Sequence, residues 1–453
     1  MHYLDTLGAF AADLHYAALP QPVRQQLAWV LVDTLGAIVG GSGEPELRAM
    51  AQGVCHGEGA TFIGLGMAGS PMEAALINGT AGTFLEMDEG NRFSRGHPAI
   101  HVLPAVLALS EAQGADAHRF LSGLAVGYEI GSRFGASAQL RDAMHVHGTW
   151  GTLGAAAGSA HLFGADANRI RESVNVASSM SIATSKKTML QGGLVRNVYA
   201  GLSNSNGLLA AQLVLCGFQG EADGPASLFG EIVSERFDQA TLLRGLGDEW
   251  HVMQNYFKLH SCCRYNHGTL DALDVLAARG TLPAAAEISS VAVTTYSYAA
   301  ELTDPSPRNT LGAKFSVPFA VATRIVNGSS GLSSFTGEAI RNPEVLALAA
   351  KVSVTEDPSM TARLPQERPA RVRVVDSKGQ VHEAEVGVNR GDDASPYTTQ
   401  ELSSKFLDLC ERVWPRSHAD AVLDSTLALG DAKAGDAASF QNWLQMLRRP
   451  ADR

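Results

Sequence analysis

Along most of the first 265 positions, apolar residues recur at three- and four-residue intervals, the period of a helix that buries one face. This spacing predicts helices over Tyr3 to Leu19 and Val23 to Val39, separated by Pro20 and Pro22, which cannot sit in a helix interior. A third covers Ser70 to Met87, with Ser70 as its cap and Pro71 at the first helical position. Further helical stretches run over Ile100 to Ala112, Ala117 to Phe134, Gly151 to Phe163, Asp166 to Ser181 and Tyr199 to Cys216. Their wealth of Ala and Gly lets axes approach closely, so a tight bundle with few aromatic fillers is expected.

After residue 265 the pattern changes. Ile288 to Tyr298 alternates and is rich in Val and Thr, which predicts a strand. Ala370 to Val375 and Val381 to Val386 flank a turn-forming Asp-Ser-Lys-Gly-Gln segment and predict a hairpin. A helix is expected over Phe315 to Val326, and three more over Thr399 to Val413, His418 to Leu429 and Ala437 to Leu447. The fold class is therefore mainly α, a large helical domain followed by a smaller α+β domain, with the boundary near Tyr265 to His267.

Composition narrows the function. The chain has 453 residues, 45% hydrophobic and 18% charged, as expected of a globular protein. A net charge of −11 argues against nucleic-acid binding, which rests on neutralising phosphates. The longest apolar run, Leu27 to Val39, is too short to span a membrane and contains Asp33. The five cysteines (Cys55, Cys216, Cys262, Cys263 and Cys410) are odd in number and show no CxxC spacing. No signal peptide is legible, so a cytoplasmic, reduced setting is expected. There is no P-loop and no GxSxG. The single GxGxxG, Gly64 to Gly69, lacks the strands of a dinucleotide fold and reads as a plain loop.

Chemistry concentrates in five places. Leu85 to His101 is a polar, Gly-broken connector between apolar helices; Asp88 and His97, nine apart, could form an oriented general base. Arg92 is a candidate carboxylate contact there, while Glu86, Glu89, Arg95 and His101 read as structural. His145 is the second proton-transfer candidate. His147 reads as a supporting or solvent-facing histidine, and the His-Val-His pair lacks a third ligand for zinc. Arg196 can clamp a carboxylate through its planar guanidinium, whereas Lys186 and Lys187 read as surface lysines. At the domain junction, Lys258, Arg264 and His267 are candidate charge contacts, and Cys262 and Cys263 read as a buried thiol pair. Lys314 opens a helix of the second domain. A base, cationic clamps and an acid suit proton abstraction next to a carboxylate, with no metal or cofactor motif.

Five segments carry a resemblance. MDEGNRFSRGHPAIHVLPA, HVHGTWGTLGAAAG, LVRNVYAGLSNSNG, KLHSCCRYNHGTLDAL and AKFSVPFA stand in the order seen in the MmgE/PrpD family, over essentially the whole chain. That family includes 2-methylcitrate dehydratase, cis-aconitate decarboxylase and iminodisuccinate epimerase. The resemblance implies a helical domain from residues 1–266 and 398–453 and an α+β lid from 267–397. It also implies a homodimer and cofactor-free catalysis on small di- or tricarboxylates, without an iron–sulfur cluster. Asp88 matches the acid of the first motif, His97 its His-Pro histidine, and His145 the second active-site histidine. The decarboxylase branch has a lysine where this chain has Arg196, a tyrosine where it has Phe319, and a histidine where it has Cys263; His267 is kept. Arginine is a poor proton donor and phenylalanine has none, which weighs against decarboxylation. The expected activity is a hydro-lyase (dehydratase) acting on a substrate such as 2-methylcitrate, with Arg92, Arg196, Lys258, Cys263, His267 and Lys314 around it. The alternatives are an isomerase or epimerase of a dicarboxylate and a non-catalytic carboxylate-binding protein.

Overall fold

The structure is a computed structural model that describes residues 2–54, 57–429, 431 and 437–450; Cys55 lies outside the described residues. The helices that frame the site are α1 (Gln21–Ser42), α2 (Pro71–Thr83), α3 (Leu103–Gln113), α4 (Ala117–Ser137), α5 (Trp150–Leu162) and α6 (Val198–Leu215). Later come α7 (His267–Ala278), α8 (Val317–Asn327) and α9 (Thr399–Cys410), with strands β1 (Ile288–Thr295), β2 (Val352–Glu356), β3 (Ala370–Asp376) and β4 (Val381–Val386). The mainly α class is observed. The punctuation works as the residue types require: the Ser70 side chain accepts from Glu73 N–H, the Glu73 carboxylate accepts from Ser70 N–H, and Pro71 follows the cap.

Two apolar cores organise these elements. One draws on residues from Tyr3 to Phe257 and again from Tyr397 to Leu447, so both ends of the chain build it. The other runs from Cys262 to Ala384, with Met189 reaching into it. In the second core the sheet order is β4-β3-β1-β2; β1 pairs parallel with β2 and antiparallel with β3. The hairpin of β3 and β4 is in register with Val375 opposite Val381, and Val372 lies opposite Ala384.

Some elements depart from the sequence pattern. The first helix stops at Asp13, and Tyr16–Ala18 forms a separate short turn, because the cap residue Leu14 is extended and the His15 ring bonds to Asp13 O. Edge strand β2 is not among the strands the pattern predicts: its Val352-Ser353-Val354-Thr355 alternation is only four residues long and half-buried at best, a weak signal for an edge strand. The GxGxxG segment is the turn and second strand of a small hairpin, Ala60–Phe62 with Met67–Gly69, where Gly64 and Gly66 take φ of 75° and 66°. A two-residue ladder pairs Gly90 with Tyr256 and Asn91 with Asn255. It stitches the connector after α2 to the segment leading into Lys258.

Close helix packing depends on glycine at a few positions. A Cβ on Gly41 of α1 would lie 2.0 Å from the Ala81 carbonyl oxygen of α2, and one on Gly154 of α5 would lie 2.7 Å from the Gly127 carbonyl of α4. Both obstacles are backbone, so relief requires whole helices to move. The connector after α2 is held by Glu89. Its Oε1 accepts from Ala99 N–H at 2.9 Å, and the Tyr128 hydroxyl of α4 donates to Oε2 at 3.1 Å. Burial is the main cause that raises this carboxyl to about 8, against the opposing Ala99 hydrogen bond.

Gly41→Ala is expected to cost about 1–3 kcal/mol, the usual range for overpacking, read as a lower urea midpoint at unchanged slope. Glu89 gives a pH-dependent expectation. Between its ordinary value of 4.5 and about 8, the folded chain holds a proton that the unfolded chain has released. Its contribution to stability is therefore complete below 4.5 and is lost as pH rises through about 8. Glu89→Gln should remove that loss. Urea midpoints measured across this range should fall less steeply for the variant than for the wild type; parallel pH profiles would contradict the assignment.

Candidate active site

Besides Glu89, the connector after α2 carries two more buried acids. Glu86 has a backbone φ of 53°, uncommon for a side-chain-bearing residue, and Asp88 follows two positions later. Both meet cations from distant segments. Arg196 Nη1, from the turn before α6, is paired with Glu86 Oε1. Lys258 Nζ, just past the Asn255–Tyr256 strand, lies 3.7 Å from Glu86 Oε2 and 3.4 Å from Asp88 Oδ1. Buried charges demand such partners, because an unpaired one would keep its full desolvation cost.

Asp88 also faces His97, with Oδ2 3.1 Å from Nδ1. The same Nδ1 donates to the Glu89 carbonyl at 2.7 Å. A carbonyl can only accept, so Nδ1 carries a proton and Nε2 is left as the nitrogen available for proton transfer. Burial would raise the Asp88 carboxyl, but His97, Lys258 and Arg196 together hold it well below the ordinary carboxylate range. Lys258 remains an ammonium: burial works against its charge, and Asp88 and Glu86 more than offset it.

His145 lies on the other side of Arg196. Its Nδ1 accepts from the His147 backbone N–H at 3.0 Å, and the Arg196 Nε–H is aimed at its Nε2 at 3.4 Å. Burial, aided by Arg196 and neighbouring imidazoles, pushes the His145 pKa well below its usual value, so the ring is neutral. A neutral imidazole accepts at one nitrogen only; the shorter backbone bond claims Nδ1, so the ring hydrogen sits on Nε2 and the longer Arg196 contact goes unsatisfied. The Arg196 Nε–H and the His145 Nε2–H thus face each other with no protein acceptor between them. Arg196 Nη2 also has no protein partner among the described residues. Chemically, this edge of the guanidinium can donate to an oxygen.

His101 and His147 pack behind these groups. The His147 ring lies 5.1 Å from His97, 4.7 Å from His101 and 4.8 Å from His145, centre to centre. Burial lowers both rings, His101 to about 3, so neither adds positive charge near neutral pH. Their buried His147 Nδ1 and His101 Nε2 atoms have no protein partner.

Asp88, His97, His145, Arg196 and Lys258 are thus drawn into one cluster from four chain segments. Lys314 borders it, donating to Leu85 O at 3.2 Å and Ser261 Oγ at 3.0 Å, with burial lowering its ammonium to about 8. Cys263 is beside it as a thiol, raised to about 12 by burial and then by the Glu86 charge. Two expected substrate contacts are engaged elsewhere. The Arg92 guanidinium is paired with Asp393, and both ring nitrogens of the buried His267 are occupied, by Arg264 Nη1 at 3.0 Å and Cys262 O at 3.2 Å. Arg264 is likewise consumed, by Asp392 at 2.8 Å and the Arg390 carbonyl at 3.0 Å. Phe319 is buried in the second core against Phe335. His147 is buried among the rings of His97, His101 and His145, which excludes the solvent-facing alternative and leaves the supporting one, and Glu86 serves as the ion-pair partner of Arg196. An acid two residues before Asp88 in an apolar stretch was the available signal for Glu86.

One further group brings three potential metal-ligand atoms within 4.8 Å, from His260, Asp271 and Asp274. Each is already committed: His260 Nδ1 lies 2.6 Å from Ser330 Oγ and Nε2 3.3 Å from Asp271, and Asp274 accepts from Arg324 Nε at 2.7 Å. Among the described residues, no helix is long and apolar enough to cross a membrane.

Comparison with known proteins identifies the family. Residues 5–230 match the MmgE/PrpD N-terminal domain, and residues 260–429 match the MmgE/PrpD C-terminal domain. A cis-aconitate decarboxylase of Aspergillus terreus is 24% identical, covering 93% of this chain and 91% of its own length. A cis-aconitate decarboxylase-like protein of Aspergillus oryzae is also 24% identical, covering 93% of each chain. The mouse cis-aconitate decarboxylase is 24% identical over 64% of this chain and 61% of its own length. With both domain models matched across most of its length, the chain belongs to the MmgE/PrpD family of carboxylate-acting enzymes.

Proposed function

We propose that this protein is a hydro-lyase that removes water from a small hydroxy-polycarboxylate of the 2-methylcitrate type. The observation that carries the reading is the Arg196–His145 edge, where two N–H groups face each other and lack an oxygen to share. A substrate carboxylate or hydroxyl oxygen supplies it.

In this reading the substrate carboxylate meets the free Nε and Nη2 edge of Arg196, while Nη1 stays with Glu86. His97 Nε2 takes the proton α to the carboxylate, and Asp88 stabilises the imidazolium that forms through the 3.1 Å contact at Nδ1. Arg196 and Lys258 oppose the negative charge that builds on the carboxylate as the C–H bond breaks. The electron pair forms the C=C bond and expels the β-hydroxyl, to which the neutral His145 Nε2–H gives its proton, so that water leaves. His97 has gained one proton and His145 has lost one; exchange with solvent restores both. Phe319, buried in the second core, offers no donor to protonate a carbanion after loss of CO2, which favours dehydration over decarboxylation.

His97→Gln should lower kcat by roughly 10²–10⁴-fold with a smaller change in KM, since it removes a proton-transfer group and keeps the shape. Following 2-methylcitrate by proton NMR in heavy water should show a new allylic methyl singlet for elimination at the methyl-bearing carbon, or a vinyl signal for elimination at the methylene. Deuterium uptake without elimination would instead identify an epimerase. Arg196→Met takes the closer of two cations from the buried Glu86, leaving Lys258 at 3.7 Å, and is expected to cost less than the roughly 3–5 kcal/mol of a fully unpaired charge. Glu86→Gln/Arg196→Met should recover much of that stability while KM stays raised. Recovery of KM along with stability would remove Arg196 from the carboxylate site.

A further inference from the structure

Beside His145 opens a cavity of about 300 Å³. It reaches from α4 and the segment 138–146 to Tyr265, Tyr298 and Leu302. That is room for roughly ten waters at about 30 Å³ each, far more than a methyl group fills. Its apolar wall comes from Leu140, Met144, Val146, Met189, Leu190 and Leu302.

Charged residues also stand on this wall, but they are occupied or balanced. Lys186 Nζ lies 2.7 Å from both Asp142 and Glu301. Arg141 donates to the Ile232 carbonyl at 2.8 Å and the Glu231 carbonyl at 3.1 Å, and Arg95 donates to the Ala138 carbonyl at 2.6 Å. Three cations therefore face three acids, Asp142, Glu235 and Glu301, and a further carboxylate gains nothing by entering. The cation edges left open lie instead at Arg196, behind His145. His145 thus borders both places, the apolar-walled cavity and the Arg196 edge that can take a carboxylate.

We infer that the substrate bears an apolar chain of several carbons, seated in this cavity while its carboxylates meet Arg196 and Lys258. The inference rests on the proposed hydro-lyase reading and narrows its substrate to the longer 2-alkyl citrates. Each methylene moved from water into the cavity should raise kcat/KM by about fourfold until the space is full. Trp at Leu140 or Leu190 should occupy the space and cancel that gain.

The test is a series of 2-alkyl citrates with hydrogen, methyl, propyl and pentyl substituents, assayed for alkene formation. A climb of about fourfold per methylene in the wild type, collapsing in Leu140→Trp and Leu190→Trp, supports the inference. A flat or falling series in the wild type overturns it and leaves the hydro-lyase reading standing. Turnover of no member overturns the hydro-lyase reading. Calorimetric binding of 2-alkyl succinates to the wild type then decides the cavity separately: affinity rising with chain length supports an apolar occupant, and constant affinity overturns it. The wild-type series and the succinates decide the matter even if the tryptophan variants do not fold.

Discussion

Charge burial at the meeting of the two cores constrains everything else in this molecule. Glu86, Asp88, Arg196 and Lys258 are each almost wholly removed from solvent, and Lys314 joins them from the lid side. An isolated ion in such a place would lose several kcal/mol of hydration, so each must arrive together with its partner. The partners come from segments more than a hundred residues apart. The fold is therefore obliged to bring the connector after α2, the turn before α6 and the Lys258 segment together as one unit. A second buried pair, Lys405 of α9 with Asp33 of α1, ties the C-terminal helices to the same region, and Lys405 also donates to the Met87 carbonyl at 2.6 Å.

The helical scaffold meets that obligation by packing backbone on backbone. Where α1 crosses α2, and where α4 crosses α5, glycine removes the last carbon that would hold the axes apart. Close contact of this kind leaves little freedom for the ends of α2 and α5, and those ends deliver the Asp88 connector and the segment that follows His145 and His147. The Gly90–Tyr256 ladder then fixes Asp88 against Lys258 with backbone hydrogen bonds. A cluster of charges that is both buried and reactive needs this rigidity, because a shift of one ångström would leave a partner unpaired.

The same burial sorts the histidines. His101, His145 and His147 are pushed towards the neutral form by desolvation, while His97 stands next to a carboxylate that remains ionised. Similar side chains thereby acquire different surroundings: one stands beside an ionised carboxylate, and the others are kept neutral by desolvation. Environment makes that division, not residue type.

By itself the sequence determined the helical periodicity, the Ser70 cap with Pro71, the β3–β4 hairpin and the shift of texture near residue 265, because these depend on neighbours within a turn or two. The motifs also marked Asp88, His97, His145, Arg196 and Lys258 as chemistry-bearing. Long-range pairing decided the rest. Nothing local in Arg92 or His267 reveals that Asp393 and Arg264 consume them, and nothing local in β2 reveals a parallel partner in β1. Glu86 and His147 read as ordinary until tertiary structure removes their water, and only then does the cost of an unpaired charge or a buried imidazole assign them a place. The opening connector, Leu85 to His101, shows both limits: its composition announced a site, and its partners were chosen by residues far along the chain.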